Sequence, residues 1–160
     1  MRLRQELTYD SPVDQVFAMV TDPAFWDEVA DATGALSSTS TVEESASGTV
    51  VVVVDQQQEV TGVPAFAKKF VGDSTRSIKR QAWDGHRSTF EVETPGKPTH
   101  IIGTAALTVT DGGTLLTYDL EVKASVPLVG GRLEKLVVDL TTDGFDKEQA
   151  VGTAWLRGNR

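Results

Sequence analysis

Cysteine is absent from the 160 residues, which removes disulfides, thiol nucleophiles, Cys-bound zinc and Cys-bound iron–sulfur clusters together. Histidine is nearly as scarce, with only His86 and His100. Neither has a neighbouring nucleophile and orienting carboxylate that would make a triad, and no HExxH pattern or close His pair supports zinc. The acidic run Asp139, Asp143, Asp146 and Glu148 has helical spacing but lacks the loop of an EF-hand. No metal and no cofactor are therefore expected. Long apolar runs are missing too: Val50 to Val54 is five residues, against the roughly 20 of a membrane-spanning helix. Met1-Arg2-Leu3-Arg4 has the basic start of a signal peptide, yet Gln5, Glu6, Thr8 and Asp10 interrupt the apolar region that should follow. The expectation is a soluble, cytoplasmic chain with no integral membrane segment.

Positive charge is in deficit. Fifteen basic residues face 23 acidic ones for a net charge of -8, which argues against non-specific binding to nucleic acid or an anionic bilayer. Only the middle of the chain is locally positive, through Lys68, Lys69, Arg76, Lys79 and Arg80, and that cluster reads as a solvated face rather than a nucleic-acid site.

What is present is a patterned, core-forming chain. Leu3, Leu7 and Tyr9 alternate with polar residues as in a strand with one wet face. Ser11-Pro12-Val13-Asp14 reads as a capped helix start, and Asp22-Pro23 ends that helix and opens another carrying Phe25, Trp26 and Val29. Residues 35–45 and 49–59 read as strands, and Pro64 opens a short helical excursion with Phe66, Ala67 and Phe70 inward. A meander follows over 75–83, 87–94, 98–110 and 113–125, with turns at Asp84-Gly85, Pro95-Gly96-Lys97-Pro98 and Asp111-Gly112. With Asp111-Gly112 as the loop, Leu107 faces Leu116, Ala105 faces Tyr118 and Gly103 faces Leu120. Small Gly103 and Ala105 beside Tyr118 either leave space for a ligand or accommodate the tyrosine ring or the terminal helix. From Leu128 to Leu156 one helix carries a stripe of Val129, Leu133, Leu136, Val137, Leu140, Gly144, Val151, Ala154 and Trp155. Met1 and residues 158–160 read as fraying ends.

Strand, two short helices, a six-strand meander and a long terminal helix together resemble the helix-grip fold of the START-like (SRPBCC) superfamily, with its Bet v 1-like and polyketide cyclase-like members. Pro64-Ala65-Phe66, the segment Phe90 to Pro98, Gly103-Thr104, the segment Val126 to Glu134, and Trp155-Leu156 are similar to an uncharacterised actinobacterial START-like family. The resemblance implies one α+β domain over residues 1–157, a seven-stranded antiparallel curved sheet wrapped around the terminal helix.

It also implies a cavity between sheet and helix for a small hydrophobic molecule such as a lipid or polyketide. The positions expected to line it are Tyr9, Phe66, Phe70, Phe90, Gly103, Ala105, Tyr118, Leu133, Val137, Leu140 and Phe145, with His100 as a polar rim. Non-catalytic binding is the leading expectation. The alternatives are a scaffold for a protein partner or homodimer, and a cyclase or dehydratase using Tyr118 or His100 to move a proton.

Overall fold

The computed structural model describes residues 1–158. Its elements in chain order are β1 (Arg2–Tyr9), α1 (Val13–Val20), α2 (Pro23–Ala32), β2 (Ser37–Glu44), β3 (Val50–Glu59), α3 (Ala65–Val71), β4 (Ser74–Asp84), β5 (Arg87–Glu93), β6 (Thr99–Thr110), β7 (Gly113–Ala124) and α4 (Gly130–Leu156). The strands form one antiparallel sheet in the order β1-β7-β6-β5-β4-β3-β2. Six of the seven strands are joined in sequence order, and β1 closes the other edge by pairing with β7. This is the expected seven-stranded helix-grip arrangement, with α3 as a fourth helix between β3 and β4.

Local chemistry accounts for most boundaries. Asp22 caps α2 by accepting a hydrogen bond from the Ala24 N–H at 2.9 Å, ahead of Pro23, whose missing N–H costs nothing in the first turn. Cap chemistry at α1 differs from the expectation. Pro12 occupies the cap, no side chain caps the helix, and the Ser11 carbonyl instead accepts from the Thr114 hydroxyl at 2.7 Å, tying the turn to β7. The β6–β7 register matches the expected one: Leu107 pairs with Leu116, Ala105 with Tyr118 and Gly103 with Leu120. Met1 is held, not frayed, because its carbonyl accepts from the Val122 N–H at 2.8 Å. Of the expected C-terminal fray, Asn159 and Arg160 lie outside the described residues, while the Gly158 N–H bonds to the Trp155 carbonyl at 3.0 Å.

Strand parity divides the sheet into two faces. On the concave face, the β1, β7 and β6 rows are mainly apolar: Leu3, Leu7, Leu116, Leu120, Val122, Ile101 and Leu107 are all buried. Helix α4 packs against β1 and β7, and its end meets α1 and α2, where Trp155 sits edge-on to Phe25 at 5.7 Å. The β2, β3 and β4 rows differ in kind. They present Ser38, Ser40, Gln56, Gln58, Thr75, Ser77, Lys79 and Gln81 to the same interior. The poor alternation of residues 35–59 has this origin: polar side chains stand on both faces of the strands.

Candidate functional site

The site grows from the inner row of β4. Lys79 and Gln81 are two residues apart, so both point beneath α4, between Val54 and Val92 for Lys79 and between Val52 and Phe90 for Gln81. From β7, Tyr118 points inward and donates a hydrogen bond to Glu148 Oε2 of α4 at 2.6 Å, with both side chains buried. Phe145 lies one turn back on α4 and stacks on Tyr118 at 4.3 Å between ring centroids, and Phe90 meets the same tyrosine edge-on at 5.5 Å. Tyr9 completes the group from β1. Its ring lies under Gly152, where a Cβ would stand 2.7 Å from the ring, so the glycine allows α4 to pass over the tyrosine.

Polar capacity in this interior exceeds the partners available. Gln81 is fully buried, and neither its Oε1 nor its Nε2 makes a hydrogen bond. The Tyr9 hydroxyl, the Trp83 indole N–H and the Ser38 and Ser40 hydroxyls are likewise buried without partners. An unpaired buried amide costs about 1–3 kcal/mol, so these groups are polar capacity that a hydrogen-bonding partner would satisfy. The Lys79 ammonium lies over the Trp26 ring, 3.1 Å from its centroid, and among the described residues it has no carboxylate within ion-pair distance.

Burial governs the ionisation of the group. It lowers Lys79 to about 8, with the negative charge of Glu148 opposing the shift. Burial raises Glu148, opposed by Lys79 and by the Tyr118 hydrogen bond. Tyr118 is driven well above its ordinary value by burial and by Glu148, with the Gln81 amide opposing the shift, and Tyr9 is raised by burial and by Glu148. Lys79 is half-buried, its ammonium covered by the Trp26 ring. Towards the end of the sheet nearest α3, Gln56, Gln58, Thr75, Ser77 and Val92 are also half-buried. The opposite end is filled by Phe25, Trp26 and Trp83.

Most of the expected lining residues converge here, and several do not. Tyr9, Phe90, Ala105, Tyr118 and Phe145 are buried in the core of the grip, Val137 packs against it, and Leu133 is buried on α4 apart from that cluster. Phe66 and Phe70 are half-buried on α3, with the Arg132 guanidinium 4.0 Å from the Phe66 ring centre. Leu140 is a correction: it is 52% exposed, standing roughly 110° around α4 from the direction in which Phe145, Glu148 and Gly152 meet the sheet. His100 is another correction. It lies exposed on the convex face, 3.8 Å from Glu91, on the opposite parity to Ile101. Gly103 is in the inner row but opens no space there, since a Cβ would overlap the Asp119 carbonyl oxygen and stand 2.8 Å from the Leu120 Cα.

Sequence reasoning misses three site residues: Lys79, Gln81 and Glu148. Lys79 reads with the solvated basic cluster, and Glu148 with the acidic run on α4. Parity holds the signal for the first two, since Thr75, Ser77, Lys79, Gln81 and Trp83 share one face of β4. Trp83 is fully buried on that face. The remaining basic cluster is partly neutralised: Arg76 makes a two-bond pair with Asp55 at 2.6 and 2.9 Å, and Lys68 lies 3.4 Å from Asp73.

Two pockets lie outside the grip. One is an open groove of about 600 Å³ on the convex face, among Arg2, Arg80, Ile102, Gly103 and Asp119. The other, about 170 Å³, lies between α1 and the end of α4 beside Met19 and Trp155. Among the described residues no three His, Asp or Glu side chains are grouped to hold a metal, and no helix is long and apolar enough to cross a membrane.

Comparison with known families fits this architecture. Residues 4–156 match the model of a protein family of unknown function, DUF2505. The chain belongs to this family. No curated protein matches it. Among solved structures, this DUF2505 chain is similar to TTHA0849 from Thermus thermophilus, with 17% identity, a TM-score of 0.70, and 99% of this chain and 98% of that one covered. It is similar to the di-domain ARO/CYC protein StfQ of the steffimycin biosynthetic pathway, with 14% identity and a TM-score of 0.64 over 98% of this chain and 50% of that one. Ara h 8.0201 matches with 10% identity and a TM-score of 0.62 over 95% and 97% of the two chains. At these identities the likeness establishes a Bet v 1-like helix-grip fold.

Proposed function

We propose that this chain binds a small molecule that has an apolar body and a polar group, in the space between the concave sheet and α4. The observation that carries the reading is the buried, unpaired Gln81 amide beside Lys79, Tyr118 and Glu148, on a wall otherwise made of Val52, Val54, Phe90 and Phe145. Apolar walls with a few convergent polar groups favour a ligand that is oriented at one end. The half-buried row from Gln58 to Val92 provides the approach. The likeness of fold to the di-domain ARO/CYC protein of the steffimycin biosynthetic pathway and to Ara h 8.0201 supports a lipid, polyketide or similar guest.

Native mass spectrometry of gently purified protein, followed by extraction, tests this reading. A defined small molecule released on unfolding, and excluded by Val92→Trp in a folded variant, is the expected result. Protein that is repeatedly empty, with no saturable binding of lipids or aromatic polyketides, would overturn it in favour of a scaffold for a protein partner.

A second reading rests on the Tyr118–Glu148 hydrogen bond. A carboxyl raised by burial and bonded to a phenol can exchange a proton with an enolizable substrate, as a cyclase or dehydratase requires. His100 takes no part, being on the other face. Turnover lost in Glu148→Gln and Tyr118→Phe, with ligand binding retained, would favour this enzyme reading; binding without turnover in the native chain would reject it.

A further inference from the structure

Lys79 is the cation of the grip. The other inner-row residues of β4 and its neighbours are uncharged: Thr75, Ser77, Gln81 and Trp83 on β4, Val50, Val52, Val54, Gln56 and Gln58 on β3, and Ser88, Phe90 and Val92 on β5. Above it α2 contributes the Trp26 ring, and α4 contributes the one carboxyl that acts on it, Glu148. The Tyr118 and Tyr9 phenols are the remaining titratable groups that respond to Glu148. Among the described residues Glu148 makes no ion pair with Lys79, and one of its oxygens is already engaged by Tyr118. The ammonium therefore has a ring on one side and, among the described residues, no hydrogen-bond acceptor. Two residues away, the Gln81 amide is buried beside the Tyr118 hydroxyl, on which it acts, with neither of its polar atoms in a hydrogen bond of ordinary geometry.

We propose that the ligand's polar group is a carboxylate, held by the Lys79 ammonium and the Gln81 amide N–H, with its apolar body along Val54, Phe90 and Val92. A buried ammonium without an acceptor is a costly feature of the empty protein, and a charged acceptor offsets that cost most fully. A neutral alcohol satisfies the hydrogen bond but leaves the charge uncompensated. An amine meets direct repulsion. Glu148, already biased by burial towards its neutral form, accommodates the added negative charge by holding a proton while Tyr118 remains its partner. The inference rests on the binding reading given above and assigns its ligand class. The acid can be aliphatic or aromatic, since Val and Phe side chains both line the wall.

Calorimetry with four probes tests the proposal: dodecanoate, dodecanol, 2-naphthoate and 2-naphthalenemethanol. At pH 7 at least one acid is expected to bind tenfold or more tightly than its alcohol; which acid does so separates a fatty-acid source from an aromatic one. At pH 9.5, where Lys79 is mostly neutral, the preference should shrink while alcohol affinity stays level. Lys79→Met should erase the preference. Gln81→Leu should weaken acid binding with Lys79 intact, and serves as the second variant if Lys79→Met fails to fold. Equal binding of acid and alcohol by the native chain would leave the binding reading standing and overturn the carboxylate. No binding of any probe would overturn both. A preference that survives in folded Lys79→Met would remove Lys79 from the role.

Discussion

Lys79 and Glu148 illustrate what one buried charge does to a small protein. Lys79 ionises near 8 in the folded chain against 10.5 when exposed, so between those values the unfolded chain holds the extra proton and stability rises with pH. The contribution is fully present above 10.5 and lost as pH falls through about 8. At about 1.4 kcal/mol per unit its full size is roughly 3 kcal/mol, less whatever water within the grip screens. Tyr9 and Tyr118 are shifted upward and act oppositely above pH 10, so the usable window is pH 8 to 10. Chemical denaturation across that window should show stability rising in the native chain relative to Lys79→Met; parallel curves would contradict the burial of Lys79. Lys79 and Glu148 make no ion pair, yet removing both together leaves neither charge uncompensated, and replacing buried charges as a unit is often neutral or stabilising by about 1–4 kcal/mol. The double variant Lys79→Met/Glu148→Gln should accordingly melt no lower than the native protein.

Gly103 is the other decisive residue. Its missing Cβ admits the β7 backbone: that atom would overlap the Asp119 carbonyl oxygen and stand 2.8 Å from the Leu120 Cα. Even Gly103→Ala must push two paired strands apart, and a loss of about 3 kcal/mol is expected, at the upper end for overpacking. A thermal melt within about 2 °C of the native protein, where a loss of that size should move Tm by several degrees, would show that the strands separate freely.

At the scale of elements, α4 separates what periodicity can give from what it cannot. Its existence, length and amphipathic character follow from an apolar residue recurring every three or four positions. Its rotation about its own axis does not, because the apolar arc is broad and two faces fit it. Glycine at 152 and carboxyl at 148 settle the rotation through contacts with Tyr9 and Tyr118, which no one-dimensional pattern contains. The strands behave similarly. One-faced β7 and the β6–β7 register are legible because Leu116 to Ala124 alternate and Asp111-Gly112 fixes the loop. The site is not, since β3 and β4 carry polar residues on both faces, and Lys79 looks like its exposed neighbours Arg76 and Arg80. Burial along α4 is testable with two leucines of the expected stripe, Leu133 and Leu140, which stand only about 20° apart around the helix. Leu133→Ala should cost about 2–5 kcal/mol, as for a buried leucine, whereas Leu140→Ala should cost less than about 0.5 kcal/mol. Similar losses at both would restore the expected stripe.

The whole molecule is a grip with unequal ends. At one, α1, α2 and the end of α4 enclose Phe25, Trp26, Trp83 and Trp155 around a filled core. At the other, α3 and the start of α4 stand over inner-row residues that remain half-buried. A ligand entering there would bridge α4 to β3 and β4, which are already joined to each other by their backbone ladder. Binding only the folded state at about 100 times Kd stabilises by about 2.7 kcal/mol, which for a domain of this size raises Tm by roughly 5–10 °C. The gain should be unevenly spread. Amide exchange should slow over Val50–Glu59 and Ser74–Asp84 and along the first half of α4, and change little in β1, whose pairing with β7 is already covered by the apolar core. A saturating dodecanoate or 2-naphthoate titration followed by mass-resolved exchange reads both quantities at once. Protection confined to Arg2, Ile102 and Asp119 would place the ligand in the convex groove and reject the interior site.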